Sequence, residues 1–142
     1  MKYFIVLFYF VSLAFASEPQ AIEGFWKTFD LRHHPRTIIK FYRVDNEYRA
    51  DIYKILDDMP HSQLCDHCKG INKNKSLEGM TIIHGLQFMN SEWKNGEVLD
   101  TDSGNTYNCK IKLSKNNEQM LFRAYIKNPI LGKTLRWERL QT

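Results

Sequence analysis

From residue 22 onward the apolar residues recur with a period of two, in short runs rich in β-branched and aromatic side chains. No stretch carries the 3.6-residue period of a convincing amphipathic helix, and turn-forming residues punctuate the runs. In Thr106–Leu113, for example, Tyr107, Cys109, Ile111 and Leu113 share one face, while Thr106, Asn108, Lys110 and Lys112 share the other. Tyr48, Ala50 and Ile52 likewise oppose Glu47, Arg49 and Asp51. Strands are expected at 22–29, 36–44, 47–55, 79–89, 92–99, 105–114, 118–126 and 133–140. Three tight turns are expected, at Val44–Glu47, Asp102–Asn105 and Lys115–Asn117. Between residues 57 and 78 the chain is polar and irregular.

Eight strands joined mostly by hairpins predict an all-β fold, an eight-stranded antiparallel up-and-down β-barrel. Closure removes the exposed edges that an open sheet would leave. A β-sandwich is the alternative arrangement.

The N-terminus has a different grammar. Lys2 precedes an apolar run from Tyr3 to Phe15, broken only by Ser12, and Ala14-Phe15-Ala16 supplies small residues before Ser17. This is the pattern of a secretion signal over residues 1–16, leaving residues 17–142 as one β-barrel domain. The apolar run of about 13 residues falls short of the roughly 20 needed to span a bilayer. No other segment approaches that length, so the expectation is an exported protein, periplasmic or secreted, with no integral membrane segment after cleavage. Removal of residues 1–16 takes one lysine and no acid, lowering the net charge from +4 to +3. That mild excess lacks the clustered basic footprint of a nucleic-acid binder.

Trp26 on the first strand, with Trp137 and Arg139 on the last, are candidate closure residues. In a closed barrel these strands are neighbours. The arginine can then stack over a tryptophan and bond to carbonyls at the closed end.

The order and spacing of several segments carry a resemblance. They are Ile22-Glu23-Gly24-Phe25-Trp26, Gly79-Met80-Thr81-Ile82-Ile83-His84-Gly85-Leu86, Trp93 to Asp100, Gly104 to Tyr107, Leu121 to Tyr125, and Leu131 to Arg139. Together they resemble the bacterial exported family called domain of unknown function 2147, over about residues 22–140. The resemblance implies a lipocalin-like barrel with no assigned activity and brings no catalytic residues. The chain departs from the family pattern at Ala124, where glycine is usual.

Three cysteines allow one disulfide and one leftover thiol. Pairing Cys65 with Cys68 closes a four-residue loop, for about 2 kcal/mol by chain entropy. Pairing either with Cys109 closes more than forty residues, for about 4 kcal/mol, and would pin the 57–78 loop to the barrel. The second pairing is therefore favoured, provided the loop can reach an inward-facing Cys109. A redox role for Cys65-Asp66-His67-Cys68 lacks the following helix that would activate a thiol. Metal binding by Cys65, Cys68, His67 and His61 lacks a second ligand pair. Neither a metal nor a cofactor is expected.

His84 shares its alternation face with Met80, Ile82, Leu86 and Phe88 and is expected to point into the barrel. With Phe88, Trp93 and Tyr107 it forms the candidate ligand-binding set, since one polar group in an apolar cavity can orient a small apolar ligand. The same aromatics could instead fill the interior, because eight strands enclose little space. No Gly-x-Ser-x-Gly elbow, phosphate-cradling glycine loop or paired-histidine zinc motif occurs. The pairs Asp57-Asp58 and Asp100/Asp102 read as turn formers. The expected function is a non-enzymatic barrel that binds a small apolar molecule or acyl chain. The alternatives are a protein- or polymer-interaction module with no partner specified, and, third, a thiol–disulfide protein using Cys65 and Cys68.

Overall fold

The computed structural model describes residue 9, residues 18–56 and residues 63–141. The N-terminal signal pattern, His61 and the Asp57-Asp58 pair lie outside the described residues. The strands are β1 (Gly24–Phe29), β2 (Pro35–Val44), β3 (Glu47–Ile55), β4 (Thr81–Met89), β5 (Glu92–Leu99), β6 (Thr106–Leu113), β7 (Gln119–Tyr125) and β8 (Gly132–Arg139). Each pairs antiparallel with the next, and β1 pairs with β8 through Trp26↔Arg139 and Lys27↔Glu138. The sheet closes on itself in sequence order, so the arrangement is an up-and-down barrel and not a sandwich. Beyond the three expected turns, Asn90 and Ser91 join β4 to β5. Both have positive φ, 52° and 63°, the twist a two-residue hairpin requires.

Alternation sets the inner wall where the strands are regular. Ala50, Cys109, Ile111 and Met120 are all at most 1% exposed. β4 is the exception and corrects the expectation for His84. Its register against β3 slips twice, from Tyr48↔Leu86 to Ala50↔Ile83 and again to Asp51↔Thr81. Each slip inserts one extra residue in β4. Met80, Leu86 and Phe88 keep the predicted face, but Ile83 takes the inner position between the slips, at 0% exposure. His84 turns outward, with its side chain 55% exposed. Gly85 makes this possible, because its φ of +77° is cheap only without a Cβ.

One end of the barrel is sealed by a short 3-10 turn, Pro19–Ile22, laid across it. Ile22 is completely buried. Trp26 Nε1 donates to the Ile22 carbonyl at 2.9 Å, and Trp93 Nε1 donates to that of Pro19 at 3.2 Å. Arg139 holds the turn from the opposite seam. Its guanidinium lies 4.3 Å from the Trp26 ring centroid, and it donates to the carbonyls of Asn117 at 2.8 Å, Glu23 at 3.1 Å and Ala21. Hydrogen bonds from a charged donor contribute about 1.5–3 kcal/mol each, and the stacking about 0.5–2 kcal/mol.

Lysine at this position has a point charge that cannot fork to three carbonyls. Arg139→Lys is therefore expected to cost about 2–3 kcal/mol, a fall of roughly 5–15 °C in Tm by circular dichroism. An unchanged Tm would show that the floor does not depend on this residue.

Candidate functional site

The barrel interior divides into two halves. Toward the floor, Ile22, Trp26, Phe41 and Trp93 are all at most 1% exposed. Packing there leaves no room for a methyl group. A Cβ on Gly96 would stand 2.6 Å from Leu86 Cδ2 and 2.9 Å from Cys109 Sγ. Toward the other end the inward residues Ile55, Tyr107, Ala124 and Leu135 are only partly buried. Between the two stands Trp137, paired across the sheet with the buried Met120, stacked face to face on Phe122 at 4.3 Å and 10° and tilted against Phe41 at 6.4 Å. Its Nε1 is buried and has no hydrogen-bond partner among the described residues. Trp26 and Trp93 both place the equivalent N–H on a carbonyl, so Trp137 stands apart. Leaving such a donor unpaired costs about 1–3 kcal/mol.

The expected ligand-binding set is therefore not gathered in one place. Trp93 belongs to the floor, with Phe88 tilted against it at 5.0 Å. His84 stands outside the barrel, 3.8 Å from Glu97 across the strand, both more than half exposed. Such an exposed pair is worth at most about 1 kcal/mol. Tyr107 alone lies at the open end and faces in. Trp137, expected at the closure with Arg139, stands two residues before it on β8, one step further from the floor.

The described part of the β3–β4 loop lies at the end opposite the floor and is tied to itself by a Cys65–Cys68 disulfide. The expected pairing with Cys109 does not form. Cys109 is a free thiol with no exposure, locked in the filled half among Leu86 and Gly96. Burial, helped by the nearby charge of Glu97, pushes its pKa up to about 12. Cys65 and Cys68 are 1% and 2% exposed and pack with Met80, Leu77, Ile82 and Leu99. The loop docks on the β5–β6 turn at Gly104, where a Cβ would come within 1.9 Å of the His67 carbonyl oxygen. Two clefts flank it on the outer side of β4. One of about 420 Å³ includes Asn72, Lys75, Glu78 and Thr81, and one of about 140 Å³ includes His84, Glu97 and Leu99. Among the described residues no three His, Cys, Asp or Glu side chains are grouped to hold a metal. No helix among them is long and apolar enough to cross a membrane.

A closed barrel of eight sequential antiparallel strands, plugged at one end by a short turn, defines the lipocalin-like class. Among solved structures, the protein HP1028 from the human pathogen Helicobacter pylori, described as belonging to the lipocalin family, is similar. It superposes with a TM-score of 0.74 at 19% identity, over 84% of this chain and 82% of that one. No curated protein matches the chain. The family described as an uncharacterized protein conserved in bacteria, domain of unknown function 2147, matches residues 24–139, and the chain belongs to it.

Three outcomes follow from the loop and the thiol. Gly104→Ala, with φ of +77° and no space for a methyl group, is expected to release the loop. Limited proteolysis within residues 57–78 should then accelerate about tenfold or more while the barrel still melts cooperatively. Cys109 should resist maleimide at about pH 8 until denaturant is added, then label once per chain without reductant. The unfolded thiol ionises near 9 and the folded one near 12, so the stability this contributes is complete below pH 9. It is lost as pH rises from 9 toward 12. A Cys109→Ala variant should lack that alkaline loss.

Proposed function

We propose that this is an exported, non-enzymatic barrel that holds the apolar body of a small molecule or acyl chain in its unsealed half. The observation that carries the reading is the buried Trp137 N–H without a partner, beside inward residues that remain partly exposed. An oxygen acceptor on the ligand would pair the donor, and the apolar side chains would cover the rest, the usual division of labour in a small-molecule pocket. The lipocalin-like architecture supports a ligand at the open end, and the filled half limits how deep it could reach. The N-terminal pattern of residues 1–16 supports export. Burial of Cys65 and Cys68 weighs against thiol exchange, which needs an accessible sulfur.

A second reading, interaction with an envelope protein or polymer, is favoured by one observation. The anchored β3–β4 loop presents Ile71, 82% exposed, next to the external clefts.

Native mass spectrometry of the purified protein, together with titration by a fluorescent fatty acid, tests the first reading. A co-purifying adduct lost on denaturation, or saturable probe binding, is expected. Trp137→Phe keeps the stacked ring but removes the donor. It should leave the free protein at least as stable and weaken the probe about 3- to 10-fold. A wild type that carries no adduct and binds no probe would transfer the function to the outer surface.

A further inference from the structure

We propose that the β7–β8 hairpin tip docks the open end of the barrel onto an anionic lipid surface. Three large aliphatic side chains stand in solvent there: Ile126 at 56%, Ile130 at 81% and Leu131 at 68% exposure. Scattered surface apolars are ordinary, but three within six residues of one turn are a patch.

The turn is held in shape while it exposes them. Ile126 N–H donates to the Leu131 carbonyl at 3.2 Å, Leu131 N–H to that of Asn128 at 2.9 Å, and Ile130 N–H to Asn128 Oδ1 at 2.9 Å. Arg123 reaches up from β7 and donates to the carbonyls of Pro129 at 2.6 Å and Ile130 at 3.3 Å, and to Thr134 Oγ1 at 2.8 Å. A tip clamped at this many points keeps its apolar side chains outward instead of folding them onto the barrel.

Charge selects the partner. From Gln119 to Trp137 the chain has four basic residues, Arg123, Lys127, Lys133 and Arg136, and no acid. Lys127 and Lys133 bracket the tip and are exposed. The adjacent β1–β2 turn, beside β8 at the same end of the barrel, adds Leu31 at 80% exposure and an exposed Arg32, while its one acid, Asp30, turns its carboxylate onto the backbone N–H groups of Arg32 and His34. Aliphatic tips ringed by lysine fit the boundary between anionic headgroups and acyl chains. A protein partner is matched more poorly. Protein interfaces centre on Trp, Tyr and Arg anchors, and the one arginine beneath this tip is spent on the turn's own carbonyls. The proposal is independent of what the barrel holds. A molecule docked this way would nevertheless present its open end to the lipid.

Co-sedimentation with two kinds of vesicle tests it: phosphatidylcholine alone, and phosphatidylcholine mixed with phosphatidylglycerol. The full chain, expressed with its own N-terminus, is expected to bind the anionic vesicles in preference to the neutral ones, with the preference shrinking as salt is raised. Ile130→Ser with Leu131→Ser should lower anionic binding about tenfold or more. Lys127→Gln and Lys133→Gln should each lower it about fivefold. These side chains are solvent-exposed, so Tm should not move. Equal binding to the two vesicle types, or serine variants that bind as well as wild type, would overturn the proposal. So would a wild-type dimer that the serine variants convert to monomer, because the tip would then be covered by a second copy.

Discussion

The barrel depends on one junction, where the guanidinium of Arg139 meets the indole of Trp26 and the carbonyls of the 3-10 turn. Only two residue pairs of β1 and β8 are in register, so the backbone alone closes the cylinder weakly. The side chain of Arg139 makes up for this by bridging three parts of the chain: the 3-10 turn, the start of β1 and the β6–β7 turn. The same contacts hold Ile22 in place as a plug and let Trp26 and Trp93 satisfy their indole nitrogens on it. Everything packed with that floor into one core, from Phe41 to Cys109, takes its position from a barrel already closed.

Much of this was legible in the sequence, because closed antiparallel sheets write a period of two into the chain. Strand order, turn positions and the inner faces of β3 and β6 follow from it directly. Where the reading failed, a local geometry broke the period. The alternation put His84 inside, and two slips in β4, one made possible by Gly85, put it outside. A glycine between His84 and Leu86, inside an otherwise apolar run, was the available hint. The cysteines failed for a different reason. Chain entropy favours the longer loop, but it counts residues and takes no account of where a thiol is packed. Cys109 sits where even a methyl on Gly96 would collide, so no loop can reach it.

The two ends of the molecule have opposite characters. The floor is dense, and the donors of Trp26 and Trp93 there are paired. The other end combines partly exposed inner residues, a disulfide-tied loop and an acid-free hairpin whose aliphatic residues stand in solvent, and an unpaired indole N–H lies between the two ends. The exposed tip does not stabilise the fold in an obvious way, and the unpaired donor costs free energy. Features that cost stability without serving the fold are where function is most economically sought. Family membership adds the fold but no chemistry, so the reading rests on these side chains.

The seam between β1 and β8 also governs when the molecule can exist. Its partners are more than a hundred residues apart, the most distant pairing in the sheet. Until residue 139 is in place, the folding chain carries two bare strand edges, those of β1 and of the strand then at the other margin. Such edges recruit other chains. A molecule whose seam has not yet shut, or has reopened, is therefore the form most prone to aggregate.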